Sequence, residues 1–194
     1  MHRKIGRAQQ QSTPLTKPLL NRLLDNCDNS IMGIRNQVLL RLGYETMRRR
    51  SELCAFKFTD ISQAPNGKSV IRLNFSKTDQ FGTGKIIPIS EELLTLLHQW
   101  QDIVGDNGYV LRSIRRHGNI GQHLSPSSVS VILKTVQATI YSDKNTPPLS
   151  GHSFRVGAAL DLLEQGEPLE KIMLRGGWQS DSTAMKYLRS WIAC

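Results

Sequence analysis

The sequence predicts a mainly α-helical domain that carries one small three-stranded antiparallel sheet. Three observations lead there. Leucines and other apolar residues recur at helical spacing in the first quarter of the chain and again through its second half. Between those regions the period changes, and short segments rich in branched or aromatic residues are separated by Pro65-Asn66-Gly67 and Gly82-Thr83-Gly84. Hydrophobic residues make up 39% of the 194 positions and charged residues 21%, which suits one packed domain rather than a disordered chain.

Taken in order, residues 1–15 are expected to form a basic linker or an exposed entry segment, with Arg3, Lys4 and Arg7 followed by three glutamines. A helix is predicted over 15–27, where Leu19, Leu20, Leu23 and Leu24 share a stripe. Asn29-Ser30 offers an N-cap for a longer helix over 31–47, with Ile31, Ile34, Val38 and Leu42 on one face. Strands are expected at 54–59, 69–75 and 85–89. Helices then return at 91–104, 126–142, 150–165, 168–175 and 180–192. Pro147-Pro148 and Gly176-Gly177 mark breaks between them. Residues 16–194 therefore make one domain.

Charge narrows the function. The net charge of +9 favours a polyanionic partner. No basic helix carries an aromatic face, and no run approaches a membrane span, so nucleic acid is preferred over a membrane. The basic start Met1-His2-Arg3-Lys4 leads into no apolar segment, which makes the cytoplasm the expected compartment. Cys27, Cys54 and Cys194 are scattered and odd in number, so neither a disulfide framework nor a zinc site is expected. Cys27 and Cys54 suit small core positions, and Cys194 a tail thiol. No carboxylate cluster suggests a metal ion, and no cofactor is expected.

The informative residues lie in the last third: Ser150-Gly-His-Ser-Phe-Arg155, then Gly176-Gly-Trp178, then Lys186-Tyr187. On a helix His152 and Arg155 share a face, in a first turn whose free N–H groups and dipole favour an anion. The ordered set H-x-x-R, G-G-W, Tyr resembles the tyrosine recombinase (phage integrase) family. That resemblance implies an earlier R-x-x-E pattern, met by Arg49-Arg-Ser-Glu52, and a lysine in a turn of the sheet, met by Lys77. The stretch Gly151–Ala159 and the Trp at 178 look closest to the branch that holds Cre recombinase. The resemblance runs from about residue 18 to the end.

It implies the catalytic-domain fold of that family and strand cleavage and rejoining on double-stranded DNA at a specific recombination site, through a 3′-phosphotyrosyl intermediate at Tyr187. The chemistry fits the residue types. Arg49 and Arg155 match phosphate oxygens and keep their charge. His152 can donate a hydrogen bond or move a proton, and Trp178 can donate through its indole N–H. Lys77 can protonate the departing 5′-oxygen. Glu52 suits a supporting carboxylate that holds the pocket in place. Further DNA contacts are expected from Arg112, Arg115 and Arg116, and from Ser127, Ser128, Ser130 and Lys134 on a helix that the resemblance turns toward the major groove. Short serines there serve N-capping equally well.

Relatives of this type carry an upstream helical DNA-binding domain, expected to be absent from this chain, and self-associate on DNA. Only seven residues follow Tyr187, fewer than the further C-terminal helix of Cre-like enzymes needs to dock on a neighbouring protomer. Two other readings stay open from sequence: a DNA-binding fragment that cannot recombine, and a type IB topoisomerase-like enzyme.

Overall fold

The computed structural model describes residues 13–74, 84–141, 146–180, 184, 185 and 188. The helices are α1 (Lys17–Asp25), α2 (Ile31–Thr46), α3 (Arg50–Ala55), α4 (Glu91–Val104), α5 (Pro126–Ala138), α6 (Ser153–Glu164) and α7 (Leu169–Gly176). The strands are β1 (Ile61–Gln63), β2 (Ser69–Leu73) and β3 (Lys85–Pro88). They form one antiparallel sheet in the order β1-β2-β3, with Ile71 opposite both Ile61 and Ile87. The predicted fold class holds. No helix among the described residues is long and apolar enough to cross a membrane.

The spine is α2. Ser30 caps it by accepting from the Gly33 N–H, which satisfies one of the donors left over at a helix start. Nine of its residues are buried, because α1, α4, α5 and α6 all pack against it. The main core gathers Leu23, Val38, Leu39, Leu53, Ile71, Leu93, Trp100 and Phe154. Trp100 is fully enclosed, and its indole N–H donates to Val110 O at 2.7 Å. A second, smaller cluster holds Met47, Ala159, Ile172, Trp178, Ala184 and Leu188. Carboxylates join elements across the core edge. Glu45 accepts from Ser90 N–H and O–H, pinning the start of α4 to the end of α2. Asp161 accepts from the Lys17 N–H and the Tyr44 hydroxyl, tying α1 and α2 to α6.

One expected strand is absent. Residues 54–59 lie in the end of α3 and the start of a 3-10 turn, Phe58–Asp60, and the first strand begins only at Ile61. The reason is local. Glu52 turns back to accept from the Arg49 N–H at 3.1 Å, which starts a helix at Arg50. Asp60 does the same for Lys57 at 2.8 Å. The alternation of apolar residues in 54–58 comes from a short helix and a turn that both face the core. Cys54 is buried there, while Cys27 is half-buried and donates to Leu23 O. Cys194, the helix expected over 180–192 (apart from residues 180, 184, 185 and 188) and the basic linker before residue 13 lie outside the described residues.

Gly157 shows how tightly the chain closes. Leu15 crosses α6 with its N–H on Ser153 O at 3.0 Å, and a Cβ on Gly157 would stand 1.9 Å from Leu15 O. Alanine is the better helix former by about 1 kcal/mol. The collision with backbone outweighs that gain. Gly157→Ala should lower stability by about 1–3 kcal/mol, read as a lower urea midpoint at unchanged slope. A midpoint that rises would contradict this close approach.

Candidate active site

Three consecutive arginines follow α2, and the backbone sends each to a different place. Met47 ends α2 in the left-handed conformation, with φ 55°. The turn drives Arg48 inward, where it is 2% exposed and donates to Thr46 O and to Arg175 O. Arg49 is half-buried and forms an ion pair with Glu52 at 3.0 Å. Arg50 is exposed and reaches Ser130 Oγ on α5 at 3.1 Å. Glu52 itself is buried, so its carboxylate fixes Arg49 through both the main chain and the guanidinium.

On the opposite wall, the turn Ser150–Ser153 leads into α6. His152 caps the helix rather than lying inside it. The turn engages backbone donors that an anion would otherwise use: His152 N–H donates to Ser150 Oγ, Ser153 N–H to Ser150 O, and Arg155 N–H to His152 O. A phosphate here would rely on side chains more than on the helix start. Arg155 is 5% exposed, donates to Gly176 O at 2.8 Å and lies 4.7 Å over the Trp178 ring.

The G-G-W sequence follows from this packing. A Cβ on Gly176 would meet the Trp178 ring at 2.1 Å. Gly177 caps α7 at φ 70°, a conformation that favours glycine, and leaves room for the Arg48 guanidinium.

The result is a cavity of about 330 Å³ lined by Arg49, Arg50, Ser51, Pro126, Gly151, His152 and Arg155. It brings together Arg49, His152 and Arg155 from distant parts of the chain, with Glu52 behind Arg49 and Trp178 behind Arg155. A second cavity of similar volume, lined among others by Tyr44, Glu45 and Asp161, lies away from these groups. Lys77 and Tyr187 lie outside the described residues.

Burial pushes the His152 imidazole down to about 4, helped by Arg155 and Arg49 nearby. It is therefore neutral at pH 7, able to donate one hydrogen bond and accept another. Lys85 lies on β3. Burial, with Arg48 beside it, pushes its amine down to about 8, against the opposing pull of Glu52. Such an amine exchanges a proton readily near neutral pH. Neither Arg48 nor Lys85 carried a sequence signal. One sits in a charge run and the other on a short strand.

The expected DNA contacts divide. Arg112 donates to the carbonyls of Tyr109, Val104 and Asn107, which makes it a brace for the turn after α4. Arg115 and Arg116 are exposed on a small hairpin closed by the Ile114–Ile120 bridge. Ser127 and Ser128 share hydrogen bonds with Ser125, the cap of α5. Ser130 receives Arg50, and Lys134 is exposed. Among the described residues no group of three or more His, Cys, Asp or Glu side chains is placed to hold a metal ion.

Comparison with known proteins places the chain in a family. The sequence profile described as "Phage integrase family" matches residues 14–191, and the chain belongs to that family. Recombinase cre of Escherichia phage P1 is 29% identical over 181 residues, 87% of this chain and 52% of its own length. The integrase/recombinase xerD homolog of Selenomonas ruminantium is 28% identical over 197 residues, 97% of this chain and 57% of its own length. The identities differ by one point, which lends modest support to the Cre branch. A lambda integrase dimer bound to a COC′ core site superposes with a TM-score of 0.68 at 22% identity, over 93% of this chain and 49% of that one, and shows the shared fold. The chain spans about half the length of the curated relatives it matches.

The imidazole of His152 should titrate with a midpoint near 4 in the folded protein, followed by NMR of its Cε1–H resonance. Its folded value lies below the ordinary 6.5, so the unfolded chain binds this proton first. Stability contributed by the neutral imidazole is complete above about pH 6.5 and declines toward pH 4. A midpoint at or above 6.5 would contradict the cationic, desolvated pocket.

Proposed function

We propose that this chain is the catalytic domain of a site-specific tyrosine recombinase, an enzyme that cuts and rejoins double-stranded DNA by transesterification. The observation that supports it most is the convergence of Arg49, His152 and Arg155 on one cavity of phosphate-accommodating size. The phenolic oxygen of Tyr187 attacks the scissile phosphorus, the bond to the 5′-oxygen breaks, and a 3′-phosphotyrosyl link forms. Arg49 and Arg155 offer guanidinium donors to the negative charge that grows on the phosphate, in a site already ordered by Glu52 and Trp178. Neutral His152 can take the phenolic proton or donate to a phosphate oxygen. Lys77 is assigned, on the family resemblance, the proton delivered to the departing 5′-oxygen. Reversal of the step with a new 5′-hydroxyl rejoins the strand and restores Tyr187. No cofactor or metal is assigned to the step.

Residues 16–194 form the bulk of this catalytic unit, Leu15 packs onto it through α6, and the residues before Thr13 are assigned as a basic linker or entry segment. Because the curated relatives are about twice as long, a second, upstream DNA-clamping domain is assigned to the complete system. Self-association on DNA follows from the same reading, as in the lambda integrase dimer on its core site. The proposed setting is the nucleoid in the cytoplasm, in the service of a mobile element.

The test is covalent capture. Nicked duplexes of randomised sequence, which lose a short strand on cleavage, are incubated with the protein and run on a denaturing gel. A labelled protein–DNA band is expected from the parent chain and is expected to vanish in Tyr187→Phe. A band of equal strength in Tyr187→Phe would sink the assignment.

A further inference from the structure

We propose that Arg50 is a further phosphate-binding residue, which holds a phosphate next to the scissile one on the cleaved strand. The proposal rests on the DNA-cleaving reading above and names a substrate contact within it.

Arg49 and Arg50 have Cα atoms about 3.8 Å apart, yet their side chains diverge. Arg49 turns back onto Glu52, and the two form an ion pair at 3.0 Å. Those opposite charges largely cancel for a DNA strand outside the cavity. Arg155 is 5% exposed and commits a donor to Gly176 O. Arg50 differs from both. It lines the same cavity but is exposed, and among the described residues it forms no ion pair with a carboxylate. A guanidinium keeps its charge at any working pH. The cavity therefore carries a positive charge at its exposed side that no acidic neighbour offsets.

The side chain is also held in place. Its stem lies against Gly151, where a Cβ would meet Arg50 Cγ at 2.1 Å and Cδ at 2.6 Å. Its Nη1 donates to Ser130 Oγ on α5 at 3.1 Å. A long surface side chain ordinarily loses rotamer freedom when it grips an anion. Here the stem and one donor are fixed beforehand. A guanidinium has five N–H donors, so a single bond to Ser130 leaves others for phosphate oxygens.

Position decides which phosphate is held. His152 and Arg155, with Arg49, surround the phosphate that is cut. The Arg50 guanidinium is drawn away from them, across to α5, and stays exposed where Arg155 is buried. Successive phosphates of one strand rise about 3.4 Å along the duplex. A strand that seats one phosphate on Arg155 carries a neighbouring one past Arg50.

The experiment neutralises phosphates one at a time. The nicked duplex recovered by covalent capture is remade with a single uncharged methylphosphonate, at the scissile phosphate or at either phosphate beside it. Affinity is measured at two salt concentrations for the parent chain, Arg50→Ala, Arg50→Lys and Ser130→Ala, and thermal unfolding checks that each variant folds. The parent should bind about tenfold more weakly when one flanking phosphate is neutral, the size of a charge-assisted hydrogen bond. Arg50→Ala should bind the unmodified duplex about tenfold more weakly, with a salt slope about 0.9 shallower, and should lose nothing more at that flanking position. Arg50→Lys keeps the charge and should keep part of the flanking penalty. Ser130→Ala should fall between the parent and Arg50→Ala, and should add nothing to Arg50→Ala. If Arg50→Ala does not fold, Arg50→Gln, which can still donate to Ser130, takes its place. A parent chain that cleaves but shows no flanking penalty overturns the proposal. So does a folded Arg50→Ala that keeps the whole penalty, or one that loses its penalty at the scissile phosphate instead. Equal losses of stability in Arg50→Ala and Ser130→Ala at unchanged affinity would mark a mere brace between α3 and α5, and would overturn it too. A parent chain that yields no covalent band overturns the DNA-cleaving reading itself, and the proposal with it.

Discussion

Two buried guanidinium groups end on neighbouring carbonyls at the C-terminus of α7, and the rest of the site depends on that arrangement. Arg48 donates to Arg175 O and Arg155 to Gly176 O. Moving such a charge out of water costs several kcal/mol even after relaxation. The C-terminal end of a helix carries about half a negative charge on its unbonded carbonyls, and here it offsets part of that cost. The arrangement also explains composition. The last residues of α7 must leave space, so glycines stand at 176 and 177, and a flat ring at Trp178 covers Arg155 from one side.

This compensation is partial, and the remainder is useful. Arg155 and Arg49 keep enough positive potential in the cavity to help hold His152 neutral. The buried carboxylate of Glu52 sits behind Arg49, where it orders the guanidinium without closing the cavity. Donors fixed in advance at a place where negative charge develops need little rearrangement when the reaction occurs. The same braces are distributed over α2, α3, α6 and α7, so an error in packing any of them is felt at the cavity.

Most of the helical frame is legible in the sequence, because amphipathic stripes and caps are local signals. Ser30, Ser90 and Ser125 each accept from a backbone N–H at the start of a helix. A strand at 54–59 does not form because α3 occupies its start; that helix is too short for periodicity to register, and its beginning depends on a carboxylate turning back over three residues. Within the site, Arg49 is distinguishable from its neighbours by the position of Glu52. The burial of Arg48 is not, since its carbonyl partner lies 127 residues away. The Arg112 bonds span only three to eight residues and the serine bonds two or three, yet residue type alone does not show that the turn aims Arg112 at carbonyls or that the cap of α5 engages its neighbouring hydroxyls. The bond from Arg50 to Ser130, 80 residues apart, arises from long-range packing.

The central claim is that the Arg49–His152–Arg155 cavity is an anion site ordered before DNA arrives. Thermal unfolding in phosphate, against chloride at equal ionic strength, tests it most directly. A ligand that binds only the folded state raises Tm, by about 3–5 °C for a domain of this size when it is present at ten times its Kd. The account predicts that rise for the parent chain and its loss in Arg49→Ala, whose half-exposed side chain can be removed without opening the core. Equal shifts in the two proteins, or no phosphate-specific shift in the parent, would contradict it.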